Sequence, residues 1–210
     1  EWRQFMPENT YNYGTGDNYP VYYVSWYATL VYCNKRSISE GLIPCYTISG
    51  STDPTTWGNI PTNQNSTWNA AVCNFNSNGY RLPTEAEREY AAQYNDERSY
   101  PWGETSPSSS LCNFNMNVGA TLAVGSYPLG NNKLGLCDLS GNVREWVWDW
   151  LGSYTIDPVT DPTGPVIVDG NRVQRGGSFP YEGGVGCADR TGASPYMGYY
   201  DYGFRIARTK

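Results

Sequence analysis

Residues 135–146 read Gly135-Leu136-Cys137-Asp138-Leu139-Ser140-Gly141-Asn142-Val143-Arg144-Glu145-Trp146, a turn-rich approach to a tryptophan. Two shorter anchors follow, Arg175-Gly176-Gly177-Ser178 and Gly203-Phe204-Arg205. Between these two anchors, residues 179–202 show no regular hydrophobic period and are crowded with Gly and Tyr. A fixed frame around so irregular an insert predicts a segment that varies rather than one that catalyses.

The composition favours one loop-rich domain. The chain has 210 residues, of which 16% are charged, and it contains 8 Trp and 19 Tyr. This length suits a single hydrophobic core and no linker divides the chain, so we expect one domain over residues 1–210. Because few charges are available, Asn, Ser, Thr, Gly and Tyr must cover the surface, which is typical of an extracellular protein.

The net charge and the first residue of the chain indicate which partners and which cellular location to expect. The net charge of −6 and the lack of a basic cluster argue against nucleic acid, since phosphate binding needs Lys and Arg. No apolar run reaches the roughly 20 residues of a membrane-spanning helix. The chain starts at Glu1 rather than Met, which predicts that a targeting segment has been removed. We expect an extracellular, cell-surface protein that was anchored through a removed N-terminal lipoprotein signal.

The six cysteines leave their pairing open. They suit disulfides in an oxidising compartment, and none has the CxxC spacing of a zinc site. An even number permits full pairing without requiring it, and Cys33 and Cys45 are the nearest pair in sequence. The chain has no His, which argues against a zinc or iron centre.

Two helices are predicted. The first begins after Ser25, a capping residue, and its apolar stripe runs from Trp26 to a stop at Gly41. The second begins after Thr84, which forms a capping box with Glu87. The apolar face expected for the second helix consists of Ala86, Tyr90, Ala91 and Tyr94. Its acids are Glu85, Glu87 and Glu89, which we expect to be structural, with Glu85 paired to Arg88 and Glu89 in solvent.

The rest of the chain predicts short strands and long loops. Residues 46–68 and 103–123 are rich in Ser, Thr, Asn and Pro without periodicity. Short β-prone pieces occur at 173–175 and 204–207. Two helices, short antiparallel strands and extensive loops indicate an α+β fold.

Five motifs in order resemble the formylglycine-generating-enzyme (sulfatase-modifying factor) superfamily. They are Arg81-Leu82-Pro83-Thr84-Glu85-Ala86-Glu87-Arg88-Glu89-Tyr90, Tyr100-Pro101-Trp102-Gly103, Gly141-Asn142-Val143-Arg144-Glu145-Trp146, Arg175-Gly176-Gly177-Ser178 and Gly203-Phe204-Arg205. The resemblance covers nearly the whole chain and implies the C-type-lectin-like fold of that family. It does not by itself imply the family's activity.

The resemblance argues against the family's known chemistry in this chain. The copper-dependent enzymes carry two cysteines in the loop after the Gly-Gly-Ser turn, whereas residues 179–186 here contain none, and Cys187 resembles a later structural cysteine. Another branch holds iron with three histidines, and this chain has no His. We therefore expect no enzyme, no catalytic residues and no catalytic cofactor. A formylglycine-generating-type oxidoreductase remains the alternative.

A third group of the family, the variable proteins of diversity-generating retroelements, resembles this sequence better. There, adenine-directed mutagenesis rewrites codons near the C-terminus, and residues 179–202 are filled with the residue types that it yields. The ligand-binding residues that this resemblance implies are Phe179, Tyr181, Gly183, Gly184, Asp189, Thr191, Ala193, Tyr196, Tyr199, Tyr200 and Asp201. The partners expected are variable protein or glycan ligands at a cell surface.

The physics of tyrosine supports a binding surface in this segment. Tyr buries a large area with only two χ angles to freeze, while Gly, Ser and Asp adapt around it, as in antibody paratopes. The alternative is that these rings pack in an aromatic core, with Tyr202 the most structural of them. An invariant carbohydrate-binding or protein-binding module also stays open.

The resemblance also implies a structural calcium ion. Its ligands would be Asp138, the carbonyl oxygens of Gly141 and Val143, and Glu145. The alternative is that Glu145 ties down the turn without a metal.

Overall fold

The computed structural model describes residues 1–7, 13–166 and 170–209. Within these ranges it has three α-helices and eight β-strands joined by long loops, which confirms the α+β class. The helices are α1 (Trp26–Ser39), α2 (Ser66–Asn69) and α3 (Glu85–Gln93). The strands are β1 (Tyr46–Thr47), β2 (Val72–Cys73), β3 (Tyr80–Arg81), β4 (Arg144–Trp150), β5 (Arg172–Arg175), β6 (Arg190–Ala193), β7 (Tyr202–Phe204) and β8 (Ala207–Arg208).

A four-stranded sheet in the order β6-β5-β4-β7 brings the sequence anchors together. In β4, Glu145 lies opposite Arg175 of β5 on one side and Gly203 of β7 on the other. The three anchors that are distant in sequence are therefore neighbours across one sheet. β6 and β7 form its opposite edges, and β7 runs parallel to β4, unlike the antiparallel strands expected.

One face of β4 packs its tryptophans against α1. Ser25 caps α1 by accepting a hydrogen bond from a backbone N–H of the first turn, as predicted. The indole N–H of Trp26 donates to the Val147 carbonyl at 3.0 Å, and that of Trp146 donates to the Val24 carbonyl at 2.7 Å. Both tryptophans are buried, so each polar N–H has a partner where water is absent.

The other face of β4 packs against α3. The capping box of Thr84 and Glu87 is formed, which confirms the predicted helix start. The predicted apolar face is wrong, because Ala86 and Tyr90 are exposed. The residues that α3 buries are Glu85, Arg88 and Ala92. The helix turns charge inward because the facing side of the sheet carries charges of its own, described below.

The predicted loop over 46–68 contains short elements. Asn65 caps α2 through its side chain, and a single 3-10 turn forms over Pro54–Thr56. All six cysteines are free thiols, so a bridge between Cys33 and Cys45 is not formed. No helix among the described residues is long and apolar enough to cross a membrane.

Candidate functional site

Four tyrosines from three chain segments form one surface beside β7, which we call the tyrosine patch: Tyr13, Tyr181, Tyr199 and Tyr200. The exposed fractions of Tyr13, Tyr181 and Tyr199 are 38%, 44% and 44%, and Tyr200 is half-buried between them. The Tyr200 ring lies 5.2 Å from that of Tyr13 and 4.7 Å from that of Tyr199. Burial, followed by a hydrogen bond with Tyr181, raises the pKa of Tyr200 to about 12. The patch is therefore contiguous, with the hydroxyl of Tyr200 protonated at neutral pH.

Phe179 is the floor of the patch rather than part of its surface. Its ring is buried and lies 5.9 Å from the Tyr200 ring and 6.3 Å from the Tyr13 ring. The predicted ligand contact at Phe179 is wrong, because a buried ring cannot touch a ligand on the surface. Its role is to support the two tyrosines above it.

Asp201 is also beneath the patch. It is fully buried, with Arg144 at 3.0 Å and the Ser178 hydroxyl donating to it at 2.7 Å. The Arg144 guanidinium in turn lies 4.6 Å from the centre of the Tyr181 ring, a cation–π distance. The predicted ligand contact at Asp201 is therefore also corrected, because its carboxylate orients Arg144 from below.

Backbone hydrogen bonds fix the path of the segment that carries the patch. The N–H of Asn115 donates to the Tyr181 carbonyl at 2.9 Å, and that of Met116 donates to the Phe179 carbonyl at 2.8 Å. Asn115 and Met116 both have positive φ, at 49° and 55°. Because these bonds use only main-chain atoms of residues 179 and 181, they do not depend on which side chains stand there.

Sequence reasoning missed Tyr13 and the 115–116 turn. Tyr13 lies more than 160 residues from the segment that it joins, by the numbering of the chain, and no local pattern links the two. Asn115 offered a weak signal, since Asn tolerates left-handed backbone better than most residues. Met116 offered none.

The other predicted ligand-binding residues differ in exposure and in their position on the fold. Gly183, Gly184, Asp189 and Thr191 are exposed, but Thr191 is on β6, at the opposite edge of the sheet from β7. Ala193 is buried, so the predicted surface contact at Ala193 is wrong. Tyr196 packs against the hydrophobic core and therefore has a packing role. Tyr202, expected to be the most structural, packs edge-on against Trp146 at 5.5 Å.

The predicted calcium site consists of Asp138, Gly141, Val143 and Glu145. Arg205 donates to the Glu145 carboxylate at 2.5 and 2.8 Å, and Arg88 donates to it at 2.7 Å. Two guanidinium groups this close would repel a divalent cation on the same carboxylate. These residues do not fit a calcium ion, and Glu145 instead ties down the frame.

Ion pairs beneath α3 connect the frame motifs, and we call this set the α3 ion-pair network: Arg88, Glu145, Arg205, Glu85, Glu89, Arg175 and Arg190. Burial alone would raise the pKa of Glu145, but Arg205 and Arg88 hold it below its ordinary value. Glu85 accepts from Arg190 at 2.6 and 2.8 Å rather than pairing with Arg88, and Glu89 pairs with Arg175 rather than facing solvent. The structural role expected for these acids holds, with different partners.

Comparisons with known proteins agree with this architecture. A sequence profile described as the sulfatase-modifying factor enzyme 1-like domain matches residues 1–210. The solved structure of Treponema denticola variable protein 1 superposes with a TM-score of 0.79 at 33% identity, covering 92% of this chain and 72% of that one. This similarity confirms the C-type-lectin-like fold of the formylglycine-generating-enzyme type that the motifs implied.

Curated relatives include proteins with different names. The chaperone protein LppX of Paenibacillus barcinonensis is 36% identical over 71% of this chain and 58% of its own length. The formylglycine-generating enzyme of Thermomonospora curvata is 36% identical over 67% of this chain and 53% of its own length. The chain thus spans little more than half the length of these relatives.

Proposed function

Because the chain belongs to the sulfatase-modifying factor enzyme 1-like family and carries an aromatic surface where that fold holds its C-terminal segment, we propose that it is a non-catalytic ligand-binding protein. The single observation that carries this proposal is the tyrosine patch. Its rings are half exposed on a buried floor, so they present area without needing to be ordered on binding. The ligands proposed are proteins or glycans at a cell surface.

The thiol chemistry supports a non-catalytic role. Residues 179–186, where the family's enzymes carry their cysteine pair, contain no cysteine. Cys187 is buried, and burial raises the pKa of its thiol to about 11. Since the thiolate is the form that binds metals and reacts, this cysteine is poorly suited to either task at neutral pH.

Diversification of residues 179–202 is the second part of the proposal. Tyr181, Gly183 and Tyr199 are among the exposed positions of this segment, and they can change without opening the core. Backbone bonds from the 115–116 turn hold the segment independently of those side chains. The similar solved structure is itself named a variable protein, which supports the same reading for this chain.

The DNA beside the gene tests diversification directly. We expect a near-duplicate of the 3′ coding end that differs only at adenines, next to a reverse transcriptase gene. We also expect sequence differences among isolates at exposed positions of 179–202 and none in the frame motifs. Identical isolates and no second copy would instead favour an invariant binding module.

Binding is tested on arrays of extracellular proteins and glycans. Wild type is compared with a variant carrying Tyr181→Ala, Tyr199→Ala and Tyr200→Ala. The matched control carries Ile43→Ala, Leu129→Ala and Leu134→Ala, three exposed apolar residues outside the patch. We expect array signals to be lost in the patch variant and retained in the control. Signals that survive in the patch variant would place recognition elsewhere.

The enzyme alternative has its own assay. The protein is incubated with a cysteine-containing peptide, a copper salt and oxygen, and the peptide is analysed by mass spectrometry. We expect the peptide to be no more oxidised than in a control with copper alone. Protein-dependent conversion of the cysteine would overturn the non-catalytic proposal.

The proposed location is the outer cell surface. The acidic, tyrosine-rich composition and the array of exposed rings suit a protein that meets ligands outside the cell. Protease treatment of intact cells tests this, since we expect loss of the protein without lysis. Protection until the cells are broken would contradict it.

A further inference from the structure

A cavity of about 750 Å³ lies between α3 and the loop of residues 152–165. It shares no residue with the tyrosine patch. Asp149 and Glu85 reach it from the sheet and from the helix start, and Gly164 closes over Asp149. The φ of Gly164 is +80°, and a side chain there would come within 2.9 Å of the Asp149 carboxylate. The loop can therefore cover the cavity only because this residue is glycine.

The rim of the cavity is apolar and unusually exposed. Tyr90, Tyr154 and Val159 all line it, with exposed fractions of 63%, 64% and 64%. Large apolar side chains that cluster at solvent around one concavity mark a ligand site more often than scattered ones do. The two rings come from separate elements, Tyr90 from α3 and Tyr154 from the loop, and the Arg190 guanidinium lies over one face of the Tyr154 ring at 4.4 Å. Such a rim suits a ligand with an aromatic or apolar body.

The cavity wall has excess negative charge. Its carboxylates are Glu85, Glu89, Asp149 and Asp161, and its guanidinium is Arg190. Arg190 is taken up by Glu85 at 2.6 Å, and Arg175 pairs with Glu89 from behind the wall. Neither Asp149 nor Asp161 belongs to an ion pair among the described residues, although the charge of Arg172 acts on Asp149 and lowers its pKa in part. At pH 8, where Asp149 is mostly ionised, these carboxylates would attract a cation and repel an anion.

Asp149 gives the cavity a buried polar group. It is 3% exposed, and one of its oxygens accepts the backbone N–H of Glu85 at 2.7 Å. Burial raises the pKa of Asp149 to about 7. A buried carboxylate at the floor of a cavity is stabilised in its charged form by any cation that enters.

We propose that this cavity is a second ligand site, which takes a small organic cation with an aromatic or apolar body. The amine lies towards Asp149 and Asp161, and the apolar body lies between the Tyr90 and Tyr154 rings. This site is independent of macromolecular binding at the tyrosine patch.

The test uses three probes of similar shape and different charge, 2-phenylethylamine, 2-phenylethanol and phenylacetate. Each is titrated into the intact protein at pH 8, and binding is followed by amide chemical shifts in NMR spectra. We expect the amine to bind at least tenfold more tightly than the alcohol and phenylacetate to bind weakest. The shifted amides should belong to α3 and residues 152–165. Equal binding of phenylacetate, or no binding of the amine at millimolar concentration, would overturn the proposal.

Two substitutions locate the site. Ala86→Trp, at an exposed helix position that lines the cavity, should fill it and weaken amine binding at least tenfold. Its control is Ala70→Trp, at an exposed position outside the cavity, which should leave binding unchanged. Asp161→Asn, on the exposed loop, should weaken the amine about threefold and leave the alcohol unchanged. Unchanged amine binding in Ala86→Trp would contradict the cavity as the site. The triple tyrosine variant should bind the amine normally, so this test stands apart from that of the patch.

Discussion

The α3 ion-pair network and the tyrosine patch lie beside the same four-stranded sheet, but different interactions hold their side chains in place. In the network, each buried guanidinium has a specific carboxylate partner, as with Arg88 and Glu145 at 2.7 Å. In the patch, the Tyr200 ring centre lies 4.7–5.2 Å from those of Tyr199 and Tyr13, and the rings keep much of their area in solvent. A charge pair is lost when either member changes, whereas a half-exposed ring loses only part of its contact area. Stability and recognition can therefore be separated within one chain segment.

The largest expected effect is at the centre of the network. Glu145→Gln removes the carboxylate shared by Arg88 and Arg205 and leaves a buried and a half-buried guanidinium group without their charged partner. We expect a loss of about 3–5 kcal/mol in the free energy of unfolding, measured by urea denaturation. The control is Glu182→Gln on the exposed loop, which should change stability by less than about 0.5 kcal/mol. Equal effects of the two substitutions would mean that the network does not stabilise the fold.

The fold was predictable from sequence where local patterns are strong. Ser25 and the capping box of Thr84 and Glu87 marked two helix starts, and the structure has both. The inward face of α3 was not predictable, because Glu85 and Arg88 look like surface residues until their partners across the sheet are known. Those partners lie more than 50 residues away, as with Glu145. Local periodicity carries no information about such pairs.

Phe179 tests the boundary between the two regions, since it belongs to the variable segment and yet is buried. Phe179→Ala should lower the free energy of unfolding by about 3 kcal/mol, because a large cavity opens under the patch. Tyr181→Ala, two residues away and exposed, should cost less than about 1 kcal/mol. Thermal and urea unfolding measure both. If Tyr181→Ala lowered the free energy of unfolding as much as Phe179→Ala, Tyr181 would be a structural residue like Phe179.

Asp149 lies on the face of the sheet that packs against α3, as the network does. Unlike the network carboxylates, it should destabilise the folded protein when it is ionised. Its pKa is raised to about 7, first by burial and also by the charge of Glu85, so the folded protein binds this proton more tightly than the unfolded chain does. Stability from this group is therefore full below about pH 4 and is lost as the pH rises to about 7. Asn cannot ionise and can still accept the Glu85 N–H.

The corresponding prediction is that Asp149→Asn stabilises the protein at pH 8, by on the order of 2 kcal/mol. The gain should shrink towards pH 5, where wild-type Asp149 is protonated. Urea denaturation at the two pH values measures it, with Asp161→Asn as the exposed control. A difference that does not depend on pH would show that ionisation of Asp149 is not its cause.

The sequence predicted only in part which side chains of the candidate surface are exposed. Composition identified the segment, and Tyr181 and Tyr199 are exposed as expected. Composition could not tell which side chains point outwards, so Phe179 and Asp201 were assigned to the surface although both are buried. The path of residues 179–181 is fixed by backbone hydrogen bonds from the turn at 115–116, which sequence alone did not reveal.

The smallest expected effect is on the stability of patch variants. Tyr181→Ser and Tyr199→Ser should each change the free energy of unfolding by about 0.5 kcal/mol, because more than two fifths of each ring is already in solvent. The N–H of Asn115 would still donate to the carbonyl of residue 181, so the segment should keep its path. Thermal unfolding of both variants and of a library randomised at these two positions measures the tolerance. If most library members unfold like Phe179→Ala, these rings are structural and the surface is not free to vary. If most fold like wild type, the same sheet supports both a charge-paired frame and an interchangeable binding surface.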